Sequence, residues 1–482
     1  MSNQPKIDKY LLVLFSILIA SFLVLLTTKS SGLSGGSDSY GHYLIAKNSW
    51  SHPSLLLDQW GKPLYNLIAS PFAQLGLKGV VLLNILCLIL SSIMVYGIIC
   101  KMNLKFALLG FLLTIFSPVF LDNTISSLTE PLCALLVIST VYMFAYKNYA
   151  YAAILAGFLP YSRSEGFIVL GVIAVFLVIF KKKYRLIPHL FLGSLFLNSL
   201  GWIIEGEPLW IITQNPYINF ELSGLNICGN GGLGHYLYAG HYTFGFFVCV
   251  ILLISVSYFF GKSILNRKIH KIDVALIIML FLSYFGAHVF IWWKGMMGSC
   301  GYVRVMTVIA PVVSLIVVYG MNEFDKLTTK FLPTYGKFIV KTIILLLIIN
   351  TIYTPYRYYS YRYPLAISEE QEQYHKLLEW YEDQDFSGRT KIYLYPYFSI
   401  IANIDPYNQQ EHLEFWASSL QFTKKGDILI WDSHFGPNES GTTLIELETS
   451  RSWKKLKEII PDKPIITMNN QNFEIHVFEK MD

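Results

Sequence analysis

Apolar blocks long enough to cross a bilayer recur along this chain, and that repetition limits what it can fold into more than any motif does. A helix needs about 20 apolar residues to span the hydrocarbon layer. Blocks near that length fall at roughly 10–27, 79–99, 104–121, 129–146, 149–162, 166–180, 186–204, 242–260, 272–293, 304–320 and 338–354. The composition agrees, with 54% hydrophobic residues and a mean hydropathy of +0.46, outside the usual range of soluble domains. The expected architecture is a polytopic α-helical membrane protein of about eleven spans. The first block follows Lys6 and Lys9, but no small-residue cleavage pattern follows it, so it reads as a retained span.

The charge is mild, +5 over 482 residues, and its distribution is a topology signal rather than a nucleic-acid footprint. Lys101, Lys105, Lys147, Lys181, Lys182, Lys183, Arg185, Lys262, Arg267 and Lys271 fall in alternate short loops. By the positive-inside rule those loops and the N-terminus are cytoplasmic. Eleven spans then put the loops at about 28–78 and 205–241, and the tail, on the outer face. Residues 1–356 are thus expected to form the membrane domain and 357–482 an extracytoplasmic α/β domain.

Within that tail, Ser368 and Gln371 match a capping box opening a helix to about Gln384. Lys391–Tyr395, Asp427–Trp431 and Asn472–Glu479 read as strands, and Arg451–Ile460 as a helix. Asp432, His434 and Glu439 (DSHFGPNES) read as a turn rather than a metal site. Cys228 and Cys300 fall in two loops on one expected face. A disulfide and two free thiols both remain open for them.

The stretch from Gly35 to Lys78 is crowded with polar groups that spans avoid: Asp38, His42, His52, Asp58, Trp60 and Lys62. A helix starting near Asp38 places His42 one turn away on the same face. Further charges gather at outer ends of spans: Asp122, Glu130, Arg163, Glu165, Glu205, Glu207, Lys294 and Arg304. No Asp, Glu, Lys or Arg lies mid-span, unlike ion-coupled transporters. His189, His288, Asn84, Asn198 and Asn350 are the polar interior groups, read as helix-to-helix hydrogen bonding. The glycine-rich run GLNICGNGGLGHYLYAGHY at 224–242 reads as a turn-rich segment.

In order and placement, several motifs resemble the GT-C superfamily of membrane glycosyltransferases, which includes protein O-mannosyltransferases and the aminoarabinose transferase. They are DSYGHY at 38–43, HPSLLLDQWGKPLYNLIASPFAQLG at 52–76, SSLTEPL at 126–132, YSRSEGF at 161–167 and GSCGYVRVMTVIAP at 298–311. The resemblance covers about the first 320 residues. It implies transfer of a sugar, a hexose such as mannose, from a polyprenyl-phosphate donor to a glycan, lipid or protein acceptor. The reaction would take place at the outer face of a bacterial inner membrane, among membrane lipids and without nucleic acid.

By position, Asp38 matches the family's loop carboxylate and would be the general base. Arg163, Arg304, Lys62 and Lys294 would hold the donor phosphate, since guanidinium groups suit phosphate oxygens. His42, His52, Asp58, Trp60, Glu130 and Glu165 would contact substrate. The chain departs from the family where Ser39 follows Asp38 in place of an acidic pair, and it lacks an Asp-x-Asp pair in this loop. A bound divalent metal is therefore left open and not expected. A lipid-linked saccharide flippase and a non-catalytic assembly protein with a partner-binding tail are the rival readings.

Overall fold

A computed structural model describes residues 4–214, 228–267, 269, 271–359, 362–467 and 470–482. The part of the second long loop at 215–227 lies outside the described residues. Among the described residues, seven helices can each cross a membrane by length and composition: Asp8–Lys29, Leu77–Lys101, Tyr184–Glu205, His235–Leu265, Ile272–Lys294, Val303–Phe331 and Gly336–Tyr358. An eighth span arises if Ala107–Ile115 and Pro118–Thr124 count as one; they meet at 51°. Pro118 lacks the N–H that a continuous helix would use there. Glu130–Ala145, Tyr149–Tyr161 and Gly166–Phe180 are shorter apolar helices. Length and composition therefore give seven or eight spans among the described residues, and the expected count of about eleven is not confirmed by them. The shortfall lies in helices that Pro and polar turns cut short.

The chain is a multi-pass membrane protein. The Val303–Phe331 helix is its centre, with 83% of its apolar window inside the bundle. Around the edge, Asp8–Lys29 has 11% inside and exposes Val13, Leu14, Ile17, Leu18, Phe22 and Leu25. Such a stripe is unstable in water and at home against acyl chains. Tyr149–Phe158 and Leu192–Glu205 meet backbone to backbone, because a Cβ on Gly193 would strike the Gly157 carbonyl. Asn84 donates to the Ser126 carbonyl at 2.8 Å and Asn350 accepts from the Phe247 N–H at 3.2 Å, tying segments together as expected.

The contacts divide the chain into two compact units. One comprises Met1–Ser30 and Pro53–Pro364, the other Ser31–His52 and Leu365–Asp482. The sequence reading kept residues 28–78 together in one loop of the membrane domain. Instead, the helix Gly36–Asn48 belongs with the C-terminal unit. Ser31 and Gly32 donate to the Leu365 carbonyl at 2.8 and 3.0 Å. At the other end of the segment, His52 Nε2 lies 2.8 Å from Asp405 Oδ2.

The second unit holds a five-stranded sheet of β1 (Lys391–Tyr393), β2 (His412–Glu414), β3 (Ile428–Asp432), β4 (Trp453–Ile459) and β5 (Ile475–Lys480). Its order is β2-β1-β3-β5-β4. β1 runs parallel to β2 and β3, and β5 antiparallel to β3 and β4. Ile392, Phe415, Leu429, Trp431, Leu447 and Phe478 form a core cluster, and β3 is buried along its whole length, as central strands are. The helix Glu369–Glu382 opens with the expected capping box.

Arg451–Ile460 is not helical. Trp453–Ile459 is the edge strand β4, and its register slips between Lys455 and Lys457. That bulge turns the strand's inward side, so Trp453, Leu456 and Ile459 recur every third residue and imitate a helical period.

Candidate functional site

In the first unit the structure gathers five of the expected residues. Glu130 opens the helix Glu130–Ala145, with Pro131 next to it. A carboxylate there faces unpaired N–H groups at the positive end of the helix. Arg163 and Glu165 lie in the turn between Leu159–Tyr161 and Gly166–Val175. Arg304 begins the short Val303–Ile309 helix.

Arg163 Nη1 lies 2.8 Å from Glu130 Oε1 and Nη2 lies 2.9 Å from Glu165 Oε1. Arg163 Nη1 also donates to Thr129 Oγ1 at 3.0 Å. Arg304 Nε stands 3.5 Å from the Glu130 oxygen that Arg163 already engages. His288 Nε2 is 3.8 Å from Glu165. Lys62 joins through the Arg163 turn, donating to Ser164 Oγ at 3.2 Å and to the Gln59 carbonyl at 3.0 Å.

The electrostatics separate the two arginines. Burial, the largest single influence, raises the Glu165 carboxyl pKa, but Arg163, His288 and the hydrogen bonds to the carboxylate together outweigh it and hold it at about 2. Arg163 is thus bracketed by two carboxylates, with 16% of its side chain exposed. Arg304 is 21% exposed, has the longer contact to Glu130, and stacks over the Tyr302 ring at 4.4 Å. Asn123 braces its backbone, donating to the Arg304 carbonyl at 3.2 Å and to Thr307 Oγ1 at 2.5 Å. Arg163 thus joins Glu130 and Glu165, and Arg304 approaches the same Glu130 oxygen.

Other expected residues of this unit stand elsewhere. Asp58 Oδ1 accepts from the Gly61 N–H at 2.5 Å, holding the turn before Pro63–Ala73. Trp60 is 41% exposed. Lys294 lies over the Trp293 ring at 3.9 Å, and none of its described contacts joins it to Glu130 or Glu165. Cys228 and Cys300 are joined in a disulfide, with Cα atoms 5.0 Å apart. A cavity of about 570 Å³ is lined by Lys147, Tyr149, Tyr151, Lys182, Lys183 and Arg185. Its four cations are among those that set the expected cytoplasmic side.

Asp38 belongs to the second unit. Gly35, at φ 91°, starts the helix Gly36–Asn48 in a left-handed conformation that favours glycine. Asp38 is the third helical residue, half-buried, and is not the cap. His42 is buried one turn on. Asp38 raises the Glu439 carboxyl pKa in concert with burial, the larger cause, against the opposing pull of His434.

The DSHFGPNES turn is ordered by Asp432 at the end of β3. Its Oδ1 accepts from the His434 and Phe435 N–H groups at 2.9 and 2.7 Å, and its Oδ2 from Tyr374 at 2.7 Å. The turn presents His434, whose Nδ1 lies 2.9 Å from Glu370 Oε2. Among the described residues, no three His, Cys, Asp or Glu side chains group as a metal cage would need.

Sequence reasoning named the charges without seeing that Glu130, Arg163 and Arg304 pair with one another. It set His288 aside as a packing group, and it passed over Thr129, Glu370 and Tyr395. The capping box beside Glu370 was the one local signal for that region.

The sequence matches no protein-family model and no curated protein. Solved structures do match. Over 96% of this chain and 97% of the other, the fold is similar to ArnT from Cupriavidus metallidurans bound to undecaprenyl phosphate, with a TM-score of 0.59 and 7% identity. The Archaeoglobus fulgidus oligosaccharyltransferase, in complex with Zn and sulfate, matches with a TM-score of 0.52 and 12% identity. That match covers 87% of this chain and 68% of the other. At these identities the likeness is one of fold, and the chain has the fold of the GT-C membrane glycosyltransferases.

Proposed function

We propose that this protein is a glycosyltransferase that moves a sugar from a polyprenyl-phosphate donor to an acceptor hydroxyl. The observation that carries the reading is the fold likeness along nearly the whole chain to a transferase bound to undecaprenyl phosphate. Arg304, a guanidinium with 21% of its side chain exposed, suits a phosphate contact. The Cys228–Cys300 disulfide supports an oxidising, outer face for its two loops.

In this reading the acceptor oxygen attacks the anomeric carbon and forms the new glycosidic bond. The bond from that carbon to the phosphate oxygen breaks, and the electron pair leaves with the polyprenyl phosphate. Asp38 takes the acceptor proton, and Arg304 steadies the charge developing on the phosphate. Arg163 positions Glu130, the carboxylate that Arg304 also approaches. The sugar is a hexose such as mannose, the membrane a bacterial inner membrane, and the N-terminus cytoplasmic.

The test is transfer of radiolabelled sugar from polyprenyl-phosphate donors to membrane acceptors, comparing the wild type with Asp38→Asn and, separately, Arg304→Ala. Transfer lost in Asp38→Asn at equal folding supports the base. Wild-type protein that transfers nothing from a panel of hexosyl donors overturns the reading.

A further inference from the structure

Ligands of open α/β sheets sit outside the carboxyl ends of parallel strands, where the strand order reverses. Here the connection from β1 leads outward to β2, and the one from β2 returns across β1 to β3, so the reversal lies between β1 and β3. The residues just beyond those two strand ends are Tyr395 on one side and His434 with Phe435 on the other. A cleft of about 220 Å³ opens there. Its lining includes Tyr40, Glu370, Gln371, Tyr395, His434 and Phe435, all from the second unit.

The walls are aromatic and the polar groups are held in place. The His434 ring stacks on Phe435 at 4.5 Å and 12°, and Phe435 on Tyr395 at 5.1 Å and 23°. Gln371 Nε2 donates to the Tyr395 hydroxyl at 2.9 Å while its Oε1 accepts from the Ser368 N–H at 2.8 Å. Glu370 fixes the His434 ring through Nδ1, which leaves Nε2 as the imidazole's second hydrogen-bonding position. The electrostatic neighbours of His434 are Glu370, Asp432 and Glu439, and Asp38 in turn acts on Glu439. Among the cleft's lining residues the carboxylate is Glu370, while Asp432 and Glu439 act on His434 from beyond the lining.

We infer that this cleft at the β1–β3 reversal binds one uncharged sugar ring, presented by the acceptor. Pockets for drug-sized molecules run to roughly 300–1,000 Å³, so this one suits a single ring. Flat aromatic side chains accept the apolar face of a pyranose, and ordered carboxylate, amide and imidazole groups pair with its hydroxyls. The Glu370 carboxylate in the lining, with no Lys or Arg among the lining residues, disfavours a uronic acid or a phosphorylated sugar. The label of acceptor site rests on the sugar-transfer reading, whereas sugar binding itself does not.

The test is equilibrium dialysis of the full-length protein in detergent against radiolabelled methyl glucoside, methyl mannoside, methyl galactoside and methyl glucuronide. It would be run on the wild type, His434→Gln and Glu370→Gln, with thermal unfolding as the folding control. Saturable binding of a neutral glycoside, at least tenfold weaker in one folded variant and weaker still for the glucuronide, supports the site. No neutral glycoside bound, binding unchanged in both folded variants, or glucuronide bound equally well overturns it. Sugar binding without any transfer leaves the cleft standing and removes the transferase reading. Transfer by a protein that binds no free glycoside does the reverse.

Discussion

Glu130 is 1% exposed, and its Oε1 meets Arg163 Nη1 at 2.8 Å while its Oε2 has no hydrogen-bond partner among the described residues. A carboxylate so far from water depends on its cation. Removing one member of a buried pair leaves the other charge uncompensated and costs about 3–5 kcal/mol. Arg163→Ala is expected to lose stability on that scale, read as a lower Tm in detergent. Adding Glu130→Gln should restore part of the loss, because the stranded charge is gone. Equal Tm for Arg163→Ala and wild type would show that the pair contributes nothing.

Arg304 calls for the opposite outcome. Its contact to Glu130 is longer, its side chain 21% exposed, and its place secured by Tyr302 and by Asn123 through the backbone. Arg304→Ala should therefore shift Tm little while raising the donor KM at least tenfold, on the order of 1.4 kcal/mol of binding. Arg304→Lys keeps the charge but loses the bidentate fork and should recover only part of the affinity. A large Tm loss in Arg304→Ala would place it with Arg163 as a structural residue.

The disulfide predicts both chemistry and sidedness. Closing a long loop typically stabilises by about 2–4 kcal/mol, so Cys228→Ser and Cys300→Ser should each lower Tm, and a reductant should do the same to the wild type. Among the described free cysteines, Cys87 and Cys133 are buried. A membrane-impermeant maleimide applied to intact cells should label Cys228 and Cys300 only after reduction. Labelling without reduction would show the bond unformed, and no labelling after reduction would put these loops on the inner side.

Much of the fold was legible because bilayer-length apolar blocks leave a chain few choices, and because the Ser368–Gln371 box is local chemistry. The rest depended on distance along the chain. Nothing in residues 31–52 announces that they pack with a unit beginning some three hundred residues later, so Asp38 was grouped with Asp58 and Lys62. The bulge at Lys455–Lys457 gave β4 a helix-like period. Glu130, Arg163 and Arg304 were visible as charges, but whether a charge meets a ligand or a partner is decided by packing. Tyr395 and His434 look unremarkable until the strand order places both at one reversal.

His434 supplies a pH dependence whose sign can be worked out. The hydrogen bond that His434 donates to Glu370 is the largest influence and raises the His434 pKa above the usual value, against burial, with Asp432 and Glu439 adding to the rise. A histidine whose folded pKa exceeds its unfolded value of about 6.5 binds its proton more tightly in the native state. The stabilisation is complete below about pH 6.5 and fades as pH climbs through the folded pKa. Glu370→Gln removes the main cause and leaves burial to pull the pKa down. The Tm difference between wild type and Glu370→Gln should therefore be widest below about pH 6.5 and shrink as pH rises through the raised folded pKa. Histidine NMR titration should show the His434 pKa falling in the variant. A Tm difference constant across that range, or an unmoved His434 titration, would mean that the pair is not ionised as the geometry implies.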